Sequence, residues 1–567
     1  MSGDTQQGAA FGRRPRKPWV RAQGLDAVLQ AWRGNAGMGR QLVLDHEVAG
    51  REEDSGPLPE DLAPGIRSAL TARGVERLYS HQLRAYARAS AGQDVVVATP
   101  TASGKSLCYN LPVLQALASD SQARALYMFP TKALSRDQET ALRDLMKASD
   151  IDGGAITFDG DTPGDARRAA RERSSVILTN PDMLHTGILP HHARWARLFS
   201  NLRYVVIDEL HTYRGVFGSH LANLLRRLLR VARFHGSEPT VIFASATIGN
   251  PLEHASAMLC KAHLLGQGPM AGGAVSVGPA AASQAEVGVG ESPPGGDLPV
   301  ALVDQSGAPA GDRQLLVYNP PVVNEELGVR ASYIKTAVRF TADLVRAGVP
   351  TLVFGQSRNQ VEVMLKYLRD RLAREGVGHD QIMGYRGGYL PEQRRRIERG
   401  LRSGDIRCVV ATNALELGID VGSLDAVVCA GYPGNIAALW QRFGRAGRRK
   451  GRSLALLVTC SAPVDQFVAG DPAYLVNAPV EHARIDPDNV EILVQHIKCA
   501  AFELPFAEGE RFGDVSQEET HDVLEHLVQH NVLHAAPDAS GQNAYHWASD
   551  RDYPANGVSL RNIGWDN

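Results

Sequence analysis

Lys105 and Ser106 close the stretch Ala98-Thr99-Pro100-Thr101-Ala102-Ser103-Gly104-Lys105-Ser106, which follows the apolar run Val95-Val96-Val97 and precedes a helical pattern from Leu107 to Ala118. A buried strand, a turn of small residues and a helix opening on Gly-Lys-Ser make the context of a phosphate-binding loop. Successive backbone N–H groups in such a turn converge on an anion, and the helix adds its positive dipole end. Lys105 would reach the β- and γ-phosphates of a nucleotide, and the Ser106 hydroxyl would take a place around Mg²⁺. Thr99, Thr101, Ala102, Ser103 and Gly104 form the cradle, with Thr99 standing where the pattern has its first glycine.

Farther along, Val205-Val206-Ile207 runs into Asp208-Glu209-Leu210-His211, which puts two acids at the carboxyl end of an apolar strand. One carboxylate there, Asp208, can hold Mg²⁺ through its water shell while its neighbour Glu209 polarises the attacking water. An acidic helix cap would not explain a lysine-bearing phosphate loop upstream. Ser245-Ala246-Thr247 ends another strand, and its hydroxyls are expected to link the hydrolytic site to a domain interface.

The second half carries Gln441-Arg442-Phe443-Gly444-Arg445-Ala446-Gly447-Arg448-Arg449. Glycines at 444 and 447 weaken a helix by about 1 kcal/mol each. They also let the backbone come close to a bulky anion. Arg445 and Arg448 are expected to be fingers supplied across a cleft to the γ-phosphate, a device worth about 10³ to 10⁵ in rate in related chemistry. Gln441, which heads the stretch, is grouped with them as catalytic.

These residues need a scaffold, and 567 residues are too many for one core. From Leu58 to Leu265, apolar runs (Val95 to Ala98, Ala125 to Phe129, Ala155 to Phe158, Val176 to Leu178, Tyr204 to Ile207, Val241 to Ala244) alternate with helix-length segments. The alternation returns with Thr351 to Phe354, Gln381 to Gly384, Cys408 to Thr412, Ala426 to Ala430 and Leu454 to Thr459. Strands apolar throughout imply parallel sheets covered on both faces, and ligands lie outside the carboxyl ends of such strands. The expected fold is α/β, with two tandem RecA-like parallel-sheet domains forming a cleft. Five segments result: an N-terminal arm, partly disordered, at 1–57; a first domain at 58–265; a flexible Gly/Ala/Pro-rich insertion at 266–312; a second domain at 313–475; and a winged-helix-like module at 476–567. The arm holds one amphipathic pattern, Leu25 to Trp32, and the module has helical patterns at Val490 to Phe502 and Glu518 to Val532.

A formal net charge of −2 places any nucleic-acid contact on local basic surfaces rather than on a global field. The six cysteines form no C-x-x-C pair and read as buried reduced thiols. No apolar run approaches a membrane span, and the basic residues Arg13, Arg14, Arg16 and Lys17 have no apolar segment behind them, so the chain reads as cytoplasmic.

In order along the chain, Gln82 in Tyr79-Ser80-His81-Gln82, the phosphate loop, Pro130-Thr131-Lys132-Ala133-Leu134, Thr179-Asn180-Pro181, Asp208-Glu209-Leu210-His211 and Ser245-Ala246-Thr247 are followed by Phe354-Gly355-Gln356-Ser357-Arg358, Ala411-Thr412-Asn413 through Gly418-Ile419-Asp420, and the arginine stretch. The whole set resembles a superfamily 2 helicase of the DExH type. Narrower segments, His211 to His220, Tyr318-Asn319-Pro320-Pro321 and Tyr553-Pro554 through Arg561, are similar to the mitomycin-repair helicases (MrfA, SftH) and their Hrq relatives, which in part resemble the RecQ-four helicases. The resemblance implies that Gln82 reads the adenine edge and that Asp420 approaches the ribose. It further implies that Thr131, Lys132, Thr179, Ser357, Arg358 and Thr412 hold the phosphates of one strand. Members usually carry a four-cysteine zinc domain after these segments; no such cluster occurs before Asn567, so the expected readings are a truncated or naturally short form, or a dispensable zinc module.

The expectation is therefore an ATP- and Mg²⁺-dependent motor that acts as a monomer on single-stranded or tailed DNA, moving 3′ to 5′ in DNA damage repair and touching no membrane. Two alternatives stay open: an RNA helicase or duplex translocase, and a nucleic-acid-binding protein that does not hydrolyse ATP.

Overall fold

The computed structural model describes residues 24–260, 300–373, 375, 377–386, 391–415, 424–447, 451–537, 541, 543–548 and 553–563. Its core consists of two seven-stranded sheets. In the first, the strand order is Ala301–Val303, Val95–Ala98, Thr240–Ser245, Leu202–Ile207, Arg124–Met128, Val176–Thr179 and Ala155–Thr157, all parallel. Alternate residues of one strand feed two cores. Val95 and Val97 pack with Ala85, Tyr86, Leu111 and Leu114 on one side, while Val96 packs with Leu221, Leu224 and Leu228 on the other. This double burial is why the runs read as apolar throughout rather than alternating.

The second sheet runs Leu42–Val48, Arg313–Tyr318, Ser453–Val458, Ala426–Ala430, Thr351–Phe354, Cys408–Ala411 and Ile382–Tyr385. All pairs are parallel except the first, where Leu42–Val48 lies antiparallel to Arg313–Tyr318.

Two expected boundaries change. Residues 25–48 are not a free arm: the helix Leu25–Gly34 buries Val28, Leu29 and Trp32, and Trp32 meets Phe340 edge-on at 4.6 Å. Its indole N–H donates to Asp343 Oδ2 at 3.3 Å, and Leu42–Val48 is the edge strand just described. An apolar stripe on a short helix is stable only against a partner, and here the partner lies about 300 residues away in sequence. The insertion is also shorter than expected. Ala301–Val303 pairs with Val95–Val97 as the edge of the first sheet, so residues 300–312 are structured, and the rest of the segment lies outside the described residues.

The carboxyl-terminal module comprises the helices Val490–Glu503 and Gln517–Gln529 and a three-stranded sheet of Phe506–Ala507, Asn543–Trp547 and Leu533–Pro537. It docks on the first domain, along the helix Gly215–Phe234. Arg226 reaches Asp488 Oδ1 at 2.7 Å and Asp514 Oδ1 at 2.6 Å; Arg230 reaches Glu510 Oε1 at 2.6 Å and lies 3.9 Å over the Phe506 ring. Arg227, fully buried, holds Glu503 through Nε at 3.1 and 3.2 Å and through Nη2. Burial opposes the charge on Arg227, and Glu503 more than restores it.

The same arginine orders a histidine chain. A guanidinium only donates, so Nδ1 of His185, at 2.8 Å, and Nδ1 of His496, at 3.3 Å, must accept from Arg227. His496 then donates from Nε2 to His220 Nδ1 at 3.0 Å, and His220 donates from Nε2 to the Asn562 carbonyl at 2.8 Å. Each ring must be neutral to play these parts. Burial pushes all three below the usual histidine range, and Arg227 pushes His185 and His496 further.

Two expectations follow. Trp32→Ala should cost about 3–5 kcal/mol of second-domain stability by denaturant unfolding, and a loss inside the error of the measurement would return residues 25–34 to a free arm. The histidines have folded pKa values below their unfolded value of about 6.5, so the unfolded state binds more protons and their contribution is present above that pH and lost below it. The melting temperature of the module should drop as pH falls from neutral toward 5, and less steeply in His220→Gln; equal slopes would rule out the chain as its source.

Candidate functional site

The register of the first sheet sets the carboxyl ends of its strands side by side, about 4.8 Å apart. Ala98 faces Ser245, and Met128 faces both Ile207 and Thr179. The residues singled out by the sequence fall just past these ends.

In the phosphate loop, Ala102 and Gly104 adopt left-handed backbones, with φ of 65° and 80°. A Cβ on Gly104 would meet Gln82 Nε2 at 2.7 Å, and the left-handed backbone strains any other residue there. Thr99 takes an ordinary backbone and needs no glycine. Its buried hydroxyl bonds Ser103 Oγ at 2.7 Å and staples the loop. Lys105 Nζ donates to the loop carbonyls of Thr99 and Pro100 at 3.0 and 2.9 Å. Burial lowers its pKa, Glu209 and Asp208 raise it, and Arg445 lowers it again, so all four charges share one site.

Gln82 is buried, and its amide is engaged. Oε1 accepts from Tyr79 N at 3.0 Å, and Nε2 donates to the Gly104 carbonyl at 2.9 Å. Its neighbour His81 accepts from Gly307 N at 3.2 Å through Nδ1, which leaves Nε2–H for the Ser103 carbonyl at 3.0 Å. Sequence reasoning missed His81 and Gly307. The loop is thus held from behind by two adjacent side chains.

Asp208 and Glu209 are each 8% exposed. Tyr109 donates to Asp208 Oδ2 at 3.1 Å, and the Glu209 N–H donates to Oδ1 at 2.8 Å. Burial and the adjacent Glu209 push the Asp208 carboxyl up to about 7. Ser106 lies three residues before Tyr109 on the same helix, hence on the same face as the group that touches Asp208. A serine hydroxyl beside a carboxylate is an all-oxygen donor set of the kind Mg²⁺ takes, and a bound cation would favour the ionised form of Asp208 that burial opposes. His211 joins this site to Ser245-Ala246-Thr247: its Nδ1 accepts from Ala246 N at 3.2 Å, and its Nε2 faces Glu209 Oε2 at 3.6 Å.

The second domain approaches from the other side. A Cβ on Gly444 would lie 2.1 Å from Thr101 Oγ1, so the arginine stretch touches the phosphate loop directly. Arg445 is 2% exposed, and its charge acts on both Lys105 and His211. Gln441 lines an interdomain cleft of about 260 Å³ with His211, Asn413 and Glu481. Arg448 and Asp420 lie outside the described residues.

Glu481 is a second residue that sequence reasoning missed. Its carboxylate accepts from Ile436 N and Ala437 N at 2.6 and 3.0 Å, capping the helix Ile436–Phe443 that leads into Gly444. Its carbonyl accepts from Gly249 N at 3.2 Å, two residues past Thr247, and Asn250 pairs with both backbone groups of Ala483. A lone glutamate in a polar stretch carries no motif, so nothing in the sequence announced this strap.

The expected strand-holding residues also cluster at carboxyl ends. Thr131 caps the helix Lys132–Ala148, and Lys132 pairs with Asp161 at 2.9 Å on the surface. Ser357 bonds Gln360 N at 3.3 Å, Arg358 is exposed at the start of its helix, and Thr412 follows Ala411. Thr179 departs from expectation: its hydroxyl is 1% exposed and donates to the Phe158 carbonyl at 2.9 Å, so it braces that loop rather than facing outward.

Comparison with known proteins agrees with this arrangement. The chain matches the DEAD/DEAH box helicase model over residues 79–255, the helicase conserved C-terminal domain over 334–450, and the winged helix domain of the ATP-dependent helicase HRQ1 over 485–563. It is 44% identical to the ATP-dependent helicase YprA of Bacillus subtilis (strain 168) across 97% of this chain and 66% of that one. It is 35% identical to the ATP-dependent helicase HRQ1 of Saccharomyces cerevisiae across 88% of this chain and 43% of that one. The chain thus spans about half to two thirds of these relatives. The solved structure of the DUF1998 helicase MrfA bound to DNA and AMPPNP superimposes with a TM-score of 0.83 at 44% identity, covering 95% of this chain and 68% of that one. With two sheet domains and a winged helix in the same order, the chain belongs to the superfamily 2 helicases of the MrfA and Hrq1 kind.

Proposed function

We propose that this chain is an ATP-driven DNA helicase or translocase that moves 3′ to 5′ along one strand in DNA damage repair. The observation that carries the motor reading is the contact of Gly444 with Thr101, which sets Arg445 into the charge field of Lys105, Asp208 and Glu209. Bound ATP with Mg²⁺ would supply the phosphoanhydride whose cleavage drives the cycle. Ser106 and Asp208 are the metal's ligands in this reading, and the loop from Thr99 to Lys105 with Gln82 holds the nucleotide.

Each remaining step belongs to side chains of this protein. Lys105 leaves the Thr99 and Pro100 carbonyls for the β- and γ-phosphates. Glu209 orients the attacking water, Gln441 lines the cleft beside it, and Arg445 with Arg448 offsets charge on the γ-phosphate. His211 transmits the state of Glu209 to Ala246, and the Glu481 strap ties the arginine helix to the same segment. Thr131, Lys132, Ser357, Arg358 and Thr412 grip one strand through its phosphates, which suits motion along any sequence. The similar MrfA structure holds DNA, and this supports DNA over RNA as the track.

Lys105→Ala should lower DNA-stimulated ATPase by about 10²- to 10³-fold; unchanged turnover rules out the motor. Removing the strap with Glu481→Ala should cut the ratio of stimulated to unstimulated hydrolysis by the equivalent of about 0.5–2 kcal/mol of coupling, and an unaltered ratio shows the strap to be structural. Polarity and track are read by unwinding of 3′-tailed against 5′-tailed duplexes and by stimulation with single-stranded DNA against RNA, where preference for the 5′ tail or for RNA overturns the finer reading.

A further inference from the structure

Beyond the edge strand Ala155–Thr157 lies a concavity of about 370 Å³ that no step above uses. Arg167 and Arg171 reach it from the helix Gly164–Glu172, His191 and Arg194 from the segment Leu189–Trp195, and Asn556 from the carboxyl-terminal tail. Among the described residues, no carboxylate lines it. Of the acids near it in sequence, Asp182 is committed to Arg561 at 2.6 and 3.0 Å, Asp161 to Lys132 at 2.9 Å, Asp159 to Arg136 at 3.4 Å and Glu172 to Arg168 at 3.3 Å, and Asp165 lies in the first turn of the helix, outside the lining. Within the described part of the chain, Arg171 and Arg194 have no ion-pair partner, and both depress the pKa of His191 after burial. Three guanidiniums sharing one concavity focus a positive field that only an anion balances.

The floor is aromatic. Phe158 and Trp195 meet edge-on at 4.8 Å, and Arg167 sits 5.3 Å from the Phe158 centroid while its Nε donates to the Thr162 carbonyl at 2.8 Å. His191 stacks on Tyr553 of the tail, centroids 6.0 Å apart and planes 11° apart. Both rings are buried, at 2% and 1% exposed, so they support the guanidiniums from beneath and the contact offered is ionic, as a phosphodiester requires. The location fits the same ligand. The row of carboxyl ends passes from Asp208 through Thr131 and the Thr179 strand to Phe158, and the Thr179 hydroxyl is bonded to Phe158 itself.

We infer that this concavity is a phosphodiester-binding site, where the nucleic-acid strand is held as it runs off the edge of the first sheet toward the carboxyl-terminal module. The inference rests on the motor reading, because it takes the same strand as ligand. It makes Arg171 and Arg194 binding residues outside the helicase motifs.

The test compares wild type, Arg171→Gln/Arg194→Gln and the control Arg168→Gln/Arg173→Gln, which removes equal charge from the helix Gly164–Glu172 and its C-cap, outside the concavity. Affinity for a labelled single strand is measured by anisotropy across a salt series, with ATPase at saturating DNA in parallel. The first double variant should lower the slope of log affinity against log salt by about 1.4, since each single-strand phosphate contact contributes about 0.7. The control should keep the wild-type slope. An unchanged slope in the first variant, or an equal drop in the control, overturns the site; wild-type hydrolysis that ignores DNA overturns the motor reading with it. Calorimetry with inorganic phosphate alone should show no saturable binding, and a saturable isotherm lost in the double variant would reassign the concavity to a small free anion.

Discussion

The structure depends on one close approach, that of the Gly444 backbone to Thr101. A side chain at 444 would occupy space already taken by Thr101 Oγ1 and would also come within 3.2 Å of the Trp440 carbonyl. Two sheets made of bulky aliphatic strands can therefore touch at the mouth of the phosphate loop without parting their layers. The consequence is electrostatic: the next residue, Arg445, enters a site where Lys105 already carries charge. Buried like charges repel strongly at low dielectric. Asp208 and Glu209 answer both cations, and burial, with repulsion from Glu209 added, raises the Asp208 carboxyl. Two cations and two acids in one water-poor gap form a set tuned to ligands that carry charge of both signs.

That gap is flanked by a different kind of buried charge. Arg227 and Glu503, both nearly inaccessible, join the first domain to the carboxyl-terminal module. Desolvation makes such a pair a poor source of net stability, yet breaking it strands a buried charge. The pair therefore acts chiefly as a register device: only one seating of the module satisfies Arg227, its histidine partners and Arg226 and Arg230 together. The module is docked on the first domain by these contacts, while the strap around Glu481 reaches from that assembly to the arginine helix of the second.

Much of this was legible in the sequence. Residues expected to bind phosphate, metal and water sit at strand ends, where an apolar run stops against a Gly-rich or acidic turn, and both halves of that pattern are local. Every strand expected from a fully apolar run is present, within two residues of its expected bounds. What escaped was non-local. Leu42–Val48 exposes Asp45 and Glu47 between the half-buried Leu44, His46 and Val48 because it is an edge strand, and Ala301–Val303 offers only three residues in a Gly- and Pro-rich stretch. Their pairing is decided by distant neighbours. At the site, the sequence points to Gln82 and Thr179 as residues, but not to the bonds that turn their side chains inward. His81 and Glu481 act through backbone groups of other segments, and a hydrogen bond to a backbone leaves no mark on composition.

The two sheets also divide the labour unequally. In the first, a continuous line of carboxyl ends carries the nucleotide residues at one end and the basic concavity at the other, with Thr131 and Lys132 between. Because hydrogen bonds fix the spacing of parallel strands, that line is stiff, and a strand held along it cannot slip relative to the phosphate loop without breaking its contacts. The second sheet presents Ser357, Arg358 and Thr412 beyond its strand ends, and the cleft and the strap are among its links to the first. In the proposed motor, a cycle that opens and closes the cleft would move one set of expected grips against that line, and the module docked on the first domain would travel with it.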